Sequence, residues 1–172
     1  MEMAAGRVPG GWPTVELDPI RRLRVLAASG AGRPLFAERH VAAPFEQVWA
    51  VASDLSGELP KLITGLRTFD VQPAQGGRPG RLAGVAVSVV GHRERFGIVL
   101  RSGWCLMQSR ALLGGMAAVP EGEGTRFALL GTLRLPGSGP VQRFLGGLAD
   151  RRGEVLLDRL DRRVAERAAA AD

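Results

Sequence analysis

Apolar residues change their spacing twice along the chain, from a period of about 3.6 to a period of 2 and back again. Near the start, Asp18 suits an N-cap and Pro19 suits the first helical position, where a missing N–H costs nothing. Ile20, Leu23 and Leu26/Ala27 follow at helical spacing, with Arg21, Arg22 and Arg24 on the polar side. Gly30 can close this helix. A strand is expected near Leu35 to Ala42. Pro44 then opens a helix that carries Phe45, Val48, Trp49 and Ala52 on one face. Ser56–Gly57 breaks it, and Leu59, Leu62, Ile63 and Leu66 predict a second short helix.

From Phe69 the period becomes 2. Phe69 and Val71 mark a strand ended by Pro73, and Val85, Val87 and Val89 mark the next. The clearest strand runs from His92 to Arg101. Three arginines buried together would cost too much, so Arg93, Arg95 and Arg101 are expected outside with Val99, and His92, Glu94, Phe96, Ile98 and Leu100 inside. Ser102-Gly103 predicts a turn into a strand over Trp104–Leu113, and Gly114-Gly115 a turn into Met116–Val119. The last strand, Thr125–Leu135, places Phe127, Leu129, Leu133 and Leu135 on the face that also holds Gly131. Turns this short make consecutive strands antiparallel neighbours.

Pro136-Gly137-Ser138-Gly139 ends the strands and Pro140 opens a long helix. Val141, Phe144/Leu145, Leu148, Val155/Leu156, Leu160 and Val164 predict its apolar stripe, and Asp158 with Arg162 a surface ion pair. The expected architecture is therefore α+β. A curved antiparallel β-sheet wraps around a long C-terminal α-helix, and two short helices after the first strand close one end. Residues 1–34 read as an N-terminal extension with a short amphipathic helix that covers its own domain, and 35–170 as the domain.

Composition narrows the function classes. With 172 residues, 45% hydrophobic and 23% charged, the chain has the makeup of one folded domain. Its longest apolar stretch, Ala111 to Val119, falls far short of the ~20 residues a spanning helix needs. The N-terminus lacks a basic start followed by an apolar segment, so no secretory leader is expected, and a single cysteine agrees with a cytoplasmic setting. Two histidines and one cysteine make a metal site improbable, and no cofactor is expected. The net charge of +6 comes from a basic set that is all arginine except Lys61. These arginines are scattered among Asp and Glu, with no alternation of basic and aromatic residues, so no nucleic-acid partner is expected. GC-rich codon usage is the plainer account of them, and the alternative is an adaptor that binds an acidic partner through its arginine-rich surface.

The run Val41-Ala42-Ala43-Pro44-Phe45-Glu46-Gln47-Val48-Trp49, followed by Ser53-Asp54-Leu55, resembles the opening of the START-like (helix-grip) superfamily. Within it, the polyketide cyclase/dehydrase and lipid-transport group is the most similar. Gly124-Thr125 and Leu135-Pro136-Gly137 also look like that family, and the resemblance spans residues 35–167. It implies a helix-grip domain with an apolar cavity between sheet and C-terminal helix that binds a hydrophobic small molecule. The chain departs from the cyclases in having no tyrosine and in lacking tryptophan between Leu55 and Pro60.

The expected pocket is Trp49, Ile63, Phe69, Phe96, Ile98, Leu100, Phe127, Leu129 and Leu133 with Phe144, Gly147 and Leu148 of the last helix. His92 and Glu94, two apart on one strand face, are the candidate proton-transfer pair, because a carboxylate can orient an imidazole whose ordinary pKa is ~6.5. The plainer reading is a solvated strand end. His40 is expected at the surface or rim, and Cys105 as a small buried apolar group. Gln108 and Arg110 are expected to face outward. Of three glycines in the last helix, Gly146 and Gly147 are expected to line or gate the pocket and Gly153 to be incidental. Gly147→Leu is expected to weaken binding of an apolar dye far more than it lowers the melting temperature.

Overall fold

A computed structural model describes residues 17–29, 34–133 and 139–171, with the side chains of the last helix from residue 151 onward. The elements are α1 (Pro19–Ala28), β1 (Leu35–Val41), α2 (Phe45–Ala52), α3 (Leu59–Leu62), β2 (Leu66–Pro73), β3 (Arg81–Ser88), β4 (Arg93–Arg101), β5 (Trp104–Gln108), β6 (Leu112–Glu121), β7 (Gly124–Leu133) and α4 (Gly139–Ala171). All strands join one antiparallel sheet in the order β1-β7-β6-β5-β4-β3-β2. β2 to β7 form a meander, and β1 returns to pair with β7, Leu35 opposite Gly131 and Val41 opposite Thr125. The sheet is curved and the architecture is α+β, helix-grip.

The alternation of strand side chains divides the sheet into two apolar layers. On the inner face Phe69, Ile98, Cys105, Met107, Phe127 and Leu129 pack with Val48 and Val51 of α2, Leu62 of α3, and Leu157, Leu160 and Val164 of α4. On the outer face Trp104, Ala117, Ala128 and Leu130 are covered by Ile20, Leu23 and Ala27 of α1. Arg93, Arg95 and Arg101 are exposed, while Phe96, Ile98 and Leu100 join the inner layer. α1 starts as its residues dictate: the Asp18 carboxylate accepts hydrogen bonds from the Ile20 and Arg21 N–H groups at 3.0 and 3.1 Å. Arg22 lies 5.4 Å above the Trp104 ring, and Arg24 pairs with Glu38.

Several local expectations change. The turn placed at Gly114-Gly115 lies instead at residues 109–111, and both glycines are inside β6. Ser109 causes this. Its Oγ accepts hydrogen bonds from the N–H groups of Ala111 and Leu112 at 3.2 and 2.9 Å, a local side-chain turn that competes with the ladder. Gly115 is glycine for space, since a Cβ there would stand 2.6 Å from Leu23 Cδ1. α3 ends at Leu62, because Ile63 turns extended and Gly65 takes a φ of +91°, so Ile63 and Leu66 are not helical. In α4 the buried stripe is Gly153, Leu157, Leu160 and Val164, whereas Val155 is exposed. Asp158 pairs with Arg39 of β1 at 2.6 Å rather than with Arg162. Gly30, Leu135 and the side chains of Phe144, Gly146, Gly147 and Leu148 lie outside the described residues.

Cys105 is fully buried, and burial pushes its thiol up to about 12. The native protein should therefore resist Ellman's reagent at about pH 8 and react, one thiol per chain, only when unfolded in denaturant. Fast reaction of the native protein would contradict this packing.

Candidate functional site

α4 is held to β1 on one flank and to the small helices on the other by opposite charges. Toward β1, Arg39 collects Asp158 at 2.6 Å, Asp161 at 3.0 Å and Glu154, and these carboxylates keep its guanidinium charged throughout. Toward α3, Arg163 makes a two-pronged pair with Glu58, Nε to Oε2 at 2.7 Å and Nη2 to Oε1 at 2.9 Å. Arg159 donates to the Leu62 carbonyl at 3.0 Å and to the Thr64 hydroxyl. Residues 159, 163 and 167 are spaced i, i+4, so one row of arginines faces the small helices. Arg167 completes it by donating to the Ala50 carbonyl at 3.2 Å.

Beneath the helix the inner sheet face is apolar. Phe69 and Phe96 meet edge to face at 5.7 Å and 87°, and Phe69, Ile98, Phe127 and Leu129 are buried. Val71, Leu82, Ala86, Phe96 and Leu100, on β2 to β4, pack on this core with one side and are only half-buried. Trp49 is half-buried and parallel to Phe45 at 6.4 Å, Ile63 is half-buried beyond α3, and Leu133 is half-buried at the end of β7. Of the expected pocket residues, Trp49, Ile63, Phe69, Phe96, Ile98, Leu100, Phe127 and Leu129 belong to the inner apolar layer, and Leu133 does not. Sequence reading passed over Val71, Leu82 and Met107, whose alternation with small or polar neighbours was available as a signal.

Glu94 stands at the rim of this face. Ser109, together with the neighbouring His92, holds the Glu94 carboxyl below the usual range. His92 Nε2 lies 3.5 Å from Glu94 Oε2, but the histidine side chain is 73% exposed and not inside as expected. The pair is assembled, and it is wet on the histidine side. Gln108 and Arg110 are exposed. His40 is exposed too, with Nε2 3.4 Å from the Glu121 carbonyl. No cluster of three or more metal-ligating side chains occurs among the described residues.

A recess lies between α3, the segment leading into β2, and α4. This open groove of about 520 Å³ has Ile63 and Leu66 on its apolar side and Lys61, Arg159, Arg162 and Glu166 around it. No single motif announces it, because its cations are contributed by two elements far apart in the chain.

No protein-family model and no curated protein matches the chain. Solved structures do. A protein of Thermus thermophilus is 28% identical with a TM-score of 0.59, covering 81% of this chain and 99% of its own. An aromatase/cyclase of a Streptomyces species is 17% identical with a TM-score of 0.60, covering 81% and 97%. A START superfamily protein of Mycobacterium smegmatis is 20% identical with a TM-score of 0.52, covering 77% and 97%. This is the START-like fold. The motif residues now acquire reasons within it. Pro44 precedes α2 and its carbonyl accepts the first helical hydrogen bonds. Asp54 Oδ1 accepts from Gly57 N–H at 2.9 Å to shape the turn into α3. Thr125, fully buried, donates to the Ala43 carbonyl at 2.8 Å and ties β7 to the entry of α2.

Proposed function

We propose that this START-like domain binds a hydrophobic small molecule, polyketide- or lipid-like, against the inner face of its sheet beneath α4. The observation that carries the reading is the half-buried apolar strip Val71, Leu82, Ala86, Phe96 and Leu100. A concave apolar surface of this kind, with polar groups confined to the rim, suits a ligand held by area rather than by directed bonds. The buried polar residues Glu58, Ser109 and Thr125 all have structural partners, which supports a binder or carrier over a catalyst.

Native mass spectrometry of freshly expressed protein should show an added mass, and an apolar dye should bind the native fold with a site that Phe96→Glu abolishes. A protein that carries no added mass and takes up no dye would overturn the reading. A cyclase- or dehydratase-type reaction is the second reading, favoured by the 3.5 Å His92–Glu94 pair. It expects His92→Gln and Glu94→Gln each to reduce turnover ~10²–10⁴-fold with the fold intact. Unchanged turnover in both would remove the pair from the chemistry.

A further inference from the structure

The groove between α3 and α4 carries more positive charge than its own carboxylates offset. Of its four cations, Arg163 is spent on Glu58 and Glu166, and Lys61 lies 3.4 Å from Glu58. Arg159 is different. Its hydrogen bonds go to neutral acceptors, the Leu62 carbonyl and the Thr64 hydroxyl, so its side chain is oriented while its charge stays uncompensated. Arg162, three residues on along the same helix, is exposed and has no ion pair among the described residues. Two guanidiniums without carboxylate partners thus border one recess whose other side is Ile63 and Leu66, residues that also pack against the core.

We propose that this groove binds the anionic head of an amphiphile, a carboxylate or phosphate on an apolar chain. The inference rests on the reading that the domain takes an apolar ligand, and it specifies the charge of that ligand. A guanidinium matches an oxyanion with paired donors in a plane. Arg159 comes already oriented by Leu62 and Thr64, which lowers the entropy lost when an anion arrives. Arg162 supplies the second, adjustable arm. Ile63 and Leu66 receive the first part of the chain, and the 520 Å³ of the groove is of the size small-molecule sites have.

Fluorescence titration with cis-parinaric acid and with its methyl ester tests this on the full chain. The acid should bind the parent protein roughly tenfold more tightly than the ester, with the difference shrinking as salt is raised. Arg162→Gln should weaken the acid about five- to tenfold and leave the ester unchanged, and Arg162→Lys should recover part of the loss. Arg152→Gln, an exposed arginine of α4 outside the groove, should change neither. Displacement of the acid by dodecyl phosphate or by laurate would tell which head is preferred, and either result supports the shared anion chemistry. Equal binding of acid and ester, or an equal loss with Arg152→Gln, would overturn the groove assignment and leave apolar binding standing. Binding of neither probe would overturn both.

Discussion

Glu58→Ala should lower folding stability by about 3 kcal/mol, a fifth or more of what a domain commonly has. The Glu58 carboxylate is 4% exposed, and Arg163, Lys61 and Arg167 surround it at 2.7, 3.4 and 3.9 Å. Removing it leaves Arg163 facing an apolar void. We place the loss at the low end of the range for broken buried pairs, because Arg163 is a quarter exposed and keeps Glu166. Urea denaturation followed by tryptophan fluorescence would measure it, and a change under about 0.5 kcal/mol would mean the pair is no structural bolt. The double variant Glu58→Leu/Arg163→Met should recover to within about 1 kcal/mol of the parent, since it leaves no buried charge unpaired.

Acid dependence follows from the same pair. Arg163 holds the Glu58 carboxyl below the usual range, outweighing the opposing effect of burial. The folded group therefore titrates below its unfolded value of about 4.3, so its contribution is complete above that value and is lost as pH falls through the folded one. The stability gap between the parent and Glu58→Gln should hold constant from about pH 5 to neutrality and close progressively below about pH 4. A gap that widened on acidification would contradict the assignment.

Gly153→Leu should cost about 3 kcal/mol, and Gly153→Ala about 1 kcal/mol. This reverses the expectation that Gly153 is incidental. A Cβ at Gly153 would stand 2.9 Å from Ala37 Cβ and 3.7 Å from Leu35 Cδ2. Ala37 Cβ cannot swing away, so the helix or β1 must shift. That overpacking exceeds the ~1 kcal/mol that alanine gains over glycine in a helix. Thermal melts would decide, and a raised melting temperature for Gly153→Ala would show that α4 does not sit so close to β1.

The order of elements was legible in the residues themselves. Period-2 alternation from Phe69 onward, the proline and glycine breaks, and the Asp18-Pro19 and Pro44 helix starts are local effects, and local effects are written locally. The outward arginines of β4 followed from the cost of burying them. Where sequence reading erred, a distant partner had overruled the local signal. Gly114-Gly115 has the chemistry of a turn, yet Leu23 of α1 needs the space at Gly115, and Ser109 makes the turn with its own hydroxyl. Asp158 and Arg162 have the spacing of a pair, yet Arg39 from another element offers Asp158 a better one.

The candidate site divides in the same way. Its apolar residues could be named from alternation, because facing inward is a property of each strand. The loose half of the inner face over β2 to β4, the effect of Ser109 on Glu94, and the uncompensated charge of Arg159 and Arg162 could not. Each depends on what stands opposite a residue across tens of positions of chain, and period and composition carry no record of distance in space. The sequence by itself determined which face of each strand is apolar and where helices begin. Only the tertiary structure decided which of those faces α4 covers and which charges find partners, because packing against β1 and α3 fixes the helix before its remaining side chains can choose.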